Sequence, residues 1–259
     1  MTERVTIEIA NGIADVRLNR ADKMNALDPA MFAGIADALA TLDATPGLRC
    51  VVLSGEGRAF CAGLDMASMA GGGSGLSIAR AHGPANLVQH VAWGWRALAV
   101  PVIAAVHGVA FGGGLQIMAG ADVRIAHPDA RFAVRELHWG IVPDMAGTAL
   151  WRTSVRDDFL RELTYTAREF GAAEAERLGF VTSVAEDPRA DALVLAREIA
   201  ARNPHAIRAA KRLIGQAADA DVPALLLAES GEQALLLRSA NQTEAVRANM
   251  EKRAAAFAD

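Results

Sequence analysis

The sequence predicts an α/β fold, and three observations predict it. Short apolar strand patterns alternate with helical patterns through the first half of the chain. The part after about residue 145 is helical. Between the two, strands run directly into glycine-dense turns that open the next segment, the habit of alternating β and α units rather than of a bundle or sandwich. At 259 residues the chain suits one large domain, or one domain plus an extension. With 52% apolar and 22% charged residues it has the balance of a water-soluble chain. Burial of roughly 70–75% of the unfolded surface is expected at this size.

The elements follow in order. Val5, Ile7 and Ile9 alternate with polar residues, as do Ala14, Val16 and Leu18, and Asn11-Gly12 lies between them. That is a β-hairpin. Asp28-Pro29 supplies an N-cap and a proline for the first helical position, and Met31, Phe32, Ile35, Leu39 and Leu42 recur at helical spacing up to Pro46-Gly47. Cys50–Leu53 reads as a short buried strand. Ala70–Gly75 is a low-complexity stretch, expected to be a mobile surface loop. A helix follows over Ala85–Leu98, then a buried strand over Pro101–Val106. Gly108–Gly114 is a glycine turn and Leu115–Gly120 opens a helix. Val123–Ala126 and Arg131–Val134 are short strands. Leu178-Gly179-Phe180-Val181 is a helix stopped by glycine with a return to a strand. Arg189–Arg202, His205–Ala217, Pro223–Leu237 and Asn241–Phe257 read as helices. No internal repeat is visible.

Composition excludes several classes. The net charge is −4 with no basic block, which argues against nucleic acid and anionic membranes as partners. An anionic small molecule remains compatible, since one lysine or helix end can serve it. Cys50 and Cys61 lie in or beside apolar runs and read as buried thiols. The spacing of Cys and His offers no metal set. The chain runs from Met1 straight into a strand pattern, not a secretory leader, and its apolar runs are too short to span a bilayer. A cytoplasmic location is expected.

The most informative segment runs from Pro101 to Leu115: strand, glycine turn, helix. Such a turn brings free backbone N–H groups to a helix start, and its glycines let a ligand approach the backbone. A dinucleotide fingerprint needs G-x-G-x-x-G, which is missing, and a P-loop needs Gly-Lys-Ser/Thr, whereas Gly114 is followed by Leu115. An oxyanion site needs only aimed N–H groups. A tight packing turn fits the spacing equally well. Gly55–Met66 also follows a strand and bends at Gly63, so two turns could each offer a donor to one oxygen.

Phe60-Cys-Ala-Gly-Leu-Asp65, then Pro101-Val-Ile-Ala-Ala-Val-His-Gly108 with Gly112-Gly-Gly114, then Glu136 and Gly140-Ile-Val-Pro143, resemble the enoyl-CoA hydratase/isomerase (crotonase) family. Asp22–Leu27, Leu163–Arg168, Ala172–Val181 and Met250–Arg253 fit it too, so the resemblance covers nearly the whole chain in order. It implies a crotonase-type spiral of ββα turns, here over residues 1–190, with a C-terminal helical trimerisation region over 191–259. The resemblance implies a homotrimer or dimer of trimers. It implies an acyl-CoA thioester as ligand, with coenzyme A entering as part of the substrate and no separate cofactor. The thioester oxygen would sit between the N–H groups of Leu64 and Gly113. Lys23, Met24, Ala26, Ala62, Asp65 and Met66 fall where the family lines its CoA channel, and Lys252 where a C-terminal lysine approaches the nucleotide.

Hydratases of this family use two glutamates. One position is Glu136 here; the other is Gln116, whose neutral amide cannot exchange protons as a carboxyl does. A new carboxylate, Asp144, follows Pro143. Dienoyl-CoA isomerases carry a glutamate and an aspartate at these two places, though with an aspartate at the position of Gln116. The resemblance therefore implies a double-bond isomerase, acting on 3,5-dienoyl-CoA or 3-enoyl-CoA. On that reading Glu136 would be the base at C2, Asp144 the acid at a remote carbon, and Gln116 a polar positioning group. Two carboxyls facing an apolar acyl pocket should have raised pKa values. The alternatives are an enoyl-CoA hydratase of fatty-acid oxidation, a 4-chlorobenzoyl-CoA dehalogenase-like hydrolase with Asp144 as nucleophile, and a weakly catalytic CoA- or RNA-binding member.

Plainer readings stand beside these. Glu136 also fits a surface ion pair beside Arg135, Asp144 a cap for the helix starting near Ala146, and Gln116 a solvated helix residue. His107 reads as a structural hydrogen bond, His138 as a pocket wall or surface residue, Arg135 and Arg156 as surface charges, and Asp65 as the holder of its own turn. Met66, Met69, Trp93 and Trp95 read as core.

Overall fold

The computed structural model describes residues 3–69 and 79–259, so the Ala70–Gly75 loop lies outside the described residues. β1 (Val5–Ala10) and β2 (Ile13–Leu18) pair antiparallel. Asn11 and Gly12 both take positive φ, 53° and 75°, as an Asn-Gly hairpin turn requires. In α1 (Pro29–Asp43), the Asp28 carboxylate accepts the Met31 N–H at 2.8 Å and Pro29 fills the first turn. β3 (Cys50–Gly55) is followed by α2 (Met66–Met69) and α3 (Leu87–Ala97). Asn86 and Gln89 close a capping box at the start of α3.

Then come β4 (Val102–Val106), β5 (Val109–Phe111) and α4 (Gly113–Ala119). The glycine turn thus contains a strand, and its helix begins at Gly113, two residues before the expected Leu115. The N–H groups of Cys61 and Phe111 bridge this stretch to the preceding turn, which makes it extended. β6 (Val123–Ala126) and β7 (Arg131–Ala133) lead into a 3₁₀ turn over Glu136–Trp139. After it come α5 (Gly147–Trp151), α6 (Asp157–Thr166), β8 (Phe170–Gly171), α7 (Ala172–Leu178) and β9 (Ser183–Val184). Gly179 ends α7 at φ 89°. The chain closes with α8 (Pro188–Ala200), α9 (Pro204–Gln216), α10 (Val222–Leu236) and α11 (Ala240–Glu251).

Two sheets are stacked by this path. The larger has the order β1-β2-β3-β4-β6-β9 and is parallel from β2 onward; the smaller is β5-β7-β8. Two ββα turns of the spiral, β4-β5-α4 and β6-β7 with its 3₁₀ turn, run from a large-sheet strand to a small-sheet strand and then to a helix or helical turn, and after β3 an isolated bridge at Cys61 takes the place of the second strand. Strand alternation decides the two faces. Val16, Leu53, Ala104 and Val106 point into the main core, with Phe32, Phe60, Trp95 and Phe132. Ile13, Cys50, Val52, Ile103, Ala105 and Ile125 face the other way, onto Ala192 and Ala196 of α8. Because α8 covers the large sheet, the expected boundary at residue 190 falls inside a core element. Both thiols are buried, and burial pushes each up to about 12.

The last helix departs from expectation. The pattern predicted helix to Phe257, but α11 stops at Glu251, and Lys252 takes φ 52°. The buried Glu244 carboxylate captures the Ala256 N–H and the Arg253 guanidinium, which folds the tail back. Asp259 then reaches the Gly47 N–H and Arg208. Trp95 is fully buried and donates to Val91 O at 2.9 Å, as a core residue should. His107 Nε2 bonds Gly57 O at 2.8 Å, a structural tie as expected. Among the described residues no helix is long and apolar enough to cross a membrane.

Candidate active site

Register brings the two turns together. Cys61 bridges Ala110 in parallel, with Cys61 N–H donating to Val109 O and Phe111 N–H to Cys61 O. Leu64 lies three residues beyond Cys61 and Gly113 three beyond Ala110, so their amides leave the ladder abreast. A Cβ on Gly63 would lie 3.6 Å from Gly113 N and 2.7 Å from Phe111 O, a measure of how closely the turns pass. Gly63 has φ 88°, which only glycine adopts freely. Gly113 is the first residue of α4, so its N–H has no acceptor within the helix. Leu27 holds the other turn from behind, donating to Gly63 O at 2.8 Å and accepting from Asp65 N–H at 3.0 Å. Leu64 and Gly113, from different turns of the spiral, thus both line one cavity of about 290 Å³.

The next spiral turn adds the carboxyl. Ala110 pairs Phe132 of β7, and the chain then turns into the 3₁₀ segment that begins at Glu136. Glu136 lines the cavity with Leu64 and Gly113, yet its side chain is only 6% exposed as a residue. Its Oε1 accepts from Gln116 Nε2 at 2.5 Å; its Oε2 is buried without a partner among the described residues. Burial raises its pKa above the ordinary carboxyl value, the negative charge of Asp144 pushes the same way, and the Gln116 bond opposes them. Glu136 is therefore not the surface ion pair with Arg135 that its sequence neighbourhood also allowed.

Gln116 is fully buried, not solvated. Its oxygen accepts the N–H groups of Met145 and Gly147, both at 2.9 Å. Those two bonds fix the amide's orientation and use both lone pairs of the oxygen. Gln116 thus braces the turn after Asp144 and aims a donor at Glu136.

Asp144 differs from expectation. It is exposed and does not line the cavity, so the shared burial expected of the two carboxyls holds for Glu136 alone. It does not cap the following helix either: α5 has Ala146 at its N-cap with no side-chain bond. Its nearness is electrostatic, through its effect on Glu136.

The residues expected along a CoA channel divide. Ala62 and Met66 line the cavity. Lys23 is exposed at the end of a 3₁₀ turn; Met24 and the buried Ala26 follow it, running beside the 62–65 segment through Ala62 N–H to Met24 O at 2.9 Å. Asp65 turns its carboxylate to Arg20, at 2.8 Å, and accepts the Ser68 N–H; the Arg20 bond holds its pKa below the usual value. It secures its own turn. Lys252 sits at the end of α11 and does not line the cavity.

Several site residues were not foreseen. Arg135, expected as a surface charge, lines the cavity, stacks 5.0 Å over the Phe111 ring and pairs with Glu169. Buried Asn25 donates to Ala59 O at 2.8 Å and Phe60 O at 3.1 Å, tying the 20–27 loop to the first donor turn. Phe111, Trp139 and Ile141 complete the apolar wall. The resemblance carried Asn25 inside a motif; nothing in the spacing separates Phe111 or Trp139 from ordinary core residues.

Leu64, Gly113 and the buried Glu136 carboxyl line one cavity on a spiral of ββα turns. The chain belongs to the enoyl-CoA hydratase/isomerase family, whose model matches residues 8–259. It is 31% identical to a crotonyl-CoA hydratase from Syntrophomonas wolfei over 98% of both chains. It is 29% identical to a peroxisomal Δ3,5-Δ2,4-dienoyl-CoA isomerase from Arabidopsis thaliana, over 93% of this chain and 91% of that one. Among solved structures, an enoyl-CoA hydratase from Mycobacterium tuberculosis superposes with a TM-score of 0.88 at 28% identity, over 99% of each chain.

Proposed function

We propose that the chain is an acyl-CoA double-bond isomerase in which Glu136 carries the proton. The thioester oxygen accepts hydrogen bonds from Leu64 and Gly113 N–H. The Glu136 carboxylate removes a proton from C2 of a 3-enoyl thioester, and the electron pair moves into the carbonyl to give an enolate. The same carboxyl returns the proton at C4, the double bond moves to C2–C3, and composition is unchanged. Losing one such N–H donor costs roughly 3–4 kcal/mol of barrier in related chemistry. A raised pKa suits a group that must both take and return a proton.

The observation that carries this reading is the saturation of Gln116. Both lone pairs of its oxygen are taken by backbone N–H groups, and its amide donates to Glu136. It has nothing left with which to accept a proton from water, so the two-carboxyl route to hydration lacks its second member. Asp144 supports a variant in which a 3,5-dienoyl chain reaches far enough for a second carboxyl to act, since its charge acts on Glu136. Coenzyme A enters as the carrier of the substrate. The apolar α10, with Leu226, Leu227 and Leu235 exposed, supports assembly with further copies, as a trimer or pair of trimers.

A three-substrate assay tests this. Turnover of 3-enoyl-CoA without hydration of 2-enoyl-CoA is expected, with 3,5-dienoyl-CoA reporting on Asp144. Hydration of 2-enoyl-CoA as the fastest reaction would overturn it.

A further inference from the structure

The 3₁₀ turn that positions Glu136 also positions Trp139, and this pairing points to the kind of acyl group the cavity takes. A 3₁₀ helix has three residues per turn, so side chains at i and i+3 eclipse. Glu136 and Trp139 are that pair, and both line the cavity. Gly140 ends the turn at φ 73°, so the chain leaves without covering the indole. Trp139 is 54% exposed although it forms a wall beside a carboxyl that is 6% exposed. The His138 ring meets the indole edge-on, with centroids 5.2 Å apart and planes at 89°. Phe111, on β5, lines the same cavity with Arg135 stacked on it, and Ile141 and Met66, both exposed, complete the wall.

A four-carbon acyl group in reach of Glu136 would leave this aromatic wall in water. A long flexible chain fits poorly for another reason: about 290 Å³ falls just below the roughly 300–1,000 Å³ usual for small-molecule sites, and the thioester takes part of it. A compact group with a π-face uses both features, since aromatic pairs gain from edge and offset contacts beyond their buried area. We propose that Trp139, with Phe111 lining the same cavity, selects thioesters whose acyl group carries an aromatic ring close to the reacting carbons. This rests on the acyl-CoA reading of the site.

The test is a binding comparison at equal carbon number, using thioesters that lack the double bond. Affinities of 3-phenylpropanoyl-CoA and nonanoyl-CoA are measured by calorimetry on the full chain, on Trp139→Ala and on Trp139→Phe. The ring is expected to bind about 3–10-fold tighter than the chain. The ratio falls to about one in Trp139→Ala and largely survives in Trp139→Phe. Equal or tighter binding of nonanoyl-CoA to the unaltered protein overturns the inference while leaving the acyl-CoA reading in place. A ratio unmoved in Trp139→Ala overturns it too. A change of mass by light scattering in Trp139→Ala assigns the indole to a subunit contact and also overturns it. Failure of every thioester to bind overturns both readings.

Discussion

Replacing Gln116 by leucine removes three hydrogen bonds at a buried position and keeps the volume. It strands the N–H groups of Met145 and Gly147, each 2.9 Å from the amide oxygen. A buried donor left without a partner costs about 1–3 kcal/mol, so the pair costs about 2–6. The bond to the Glu136 carboxyl, 2.5 Å long, adds about 1.5–3 kcal/mol if the carboxyl is charged. Burial of the leucine returns about 1.5–3 kcal/mol. The net loss is about 2–6 kcal/mol, read as a lower urea midpoint at unchanged slope. The same change removes a donor that favours the charged form of Glu136. Its pKa therefore rises further, and the ascending limb of the kcat/KM–pH profile moves to higher pH. Gln116→Glu separates the two roles. It keeps the acceptors for both N–H groups but sets a second carboxyl against Glu136, so stability should hold in acid and fall in base as the pair is forced to share one proton. A loss under 1 kcal/mol in Gln116→Leu, with an unmoved pH profile, would refute the bracing role.

Glu136 has a folded-state pKa above its unfolded value, so the native state holds the extra proton and wild-type stability declines as pH rises from about 4.3 through the raised value. Glu136→Gln cannot titrate, so its stability relative to wild type should climb across that window and then level off; a flat difference from pH 4 to 8 would contradict it. Asp144→Asn removes a charge that raises the Glu136 pKa, so the ascending limb should move to lower pH. An unchanged limb would place Asp144 out of reach. Gly63→Ala puts a Cβ 2.7 Å from Phe111 O at φ 88° and should spread the two donor turns, lowering kcat by roughly 10²-fold or more. Binding weakened with kcat intact would argue against paired donors. Cys50 and Cys61, buried with pKa near 12, should resist a thiol reagent at pH 8 until the protein is unfolded, and rapid native labelling of either would count against the packing.

Local chemistry was legible wherever it acts over a few residues. The Asn11-Gly12 hairpin, the Asp28-Pro29 helix start and the Gly179 helix stop are encoded by backbone preferences of the residues themselves. The Val109–Phe111 strand was not legible, because it exists through bonds to a turn some fifty residues earlier, Cys61 to Val109 and Phe111 to Cys61. The end of α11 was missed for a like reason: Glu244 captures a backbone N–H twelve residues later, and no helix propensity registers that. At the site, the resemblance supplied Leu64, Gly113, Gln116 and Glu136, which the structure gathers at one cavity or against its carboxyl. Burial decided the rest. Asp144 and Arg135 are both charged residues in one short segment, and sequence gives no means to tell that the aspartate is exposed while the arginine lines the cavity.

An amide at position 116 does more than subtract a carboxyl. Two carboxyls at 2.5 Å could not both ionise and would have to share a proton, and the Glu136 pKa would then belong to the pair. With glutamine, Glu136 is the one carboxyl lining the cavity among the described residues, and the Gln116 amide donates to it. The brace extends outward through a conformation that needs holding. Ala146 sits at φ 68°, a left-handed setting that costs a non-glycine residue on the order of 1 kcal/mol, and the two N–H groups flanking it are the ones Gln116 accepts. Gly147 has room for nothing larger, since a Cβ there would meet Gln116 Oε1 at 2.7 Å and the Trp151 ring at 2.6 Å. On the other side, a Cβ at Gly112 would reach within 3.4 Å of Glu136 Oε1. The carboxyl–amide pair is therefore set between two glycines and a strained turn.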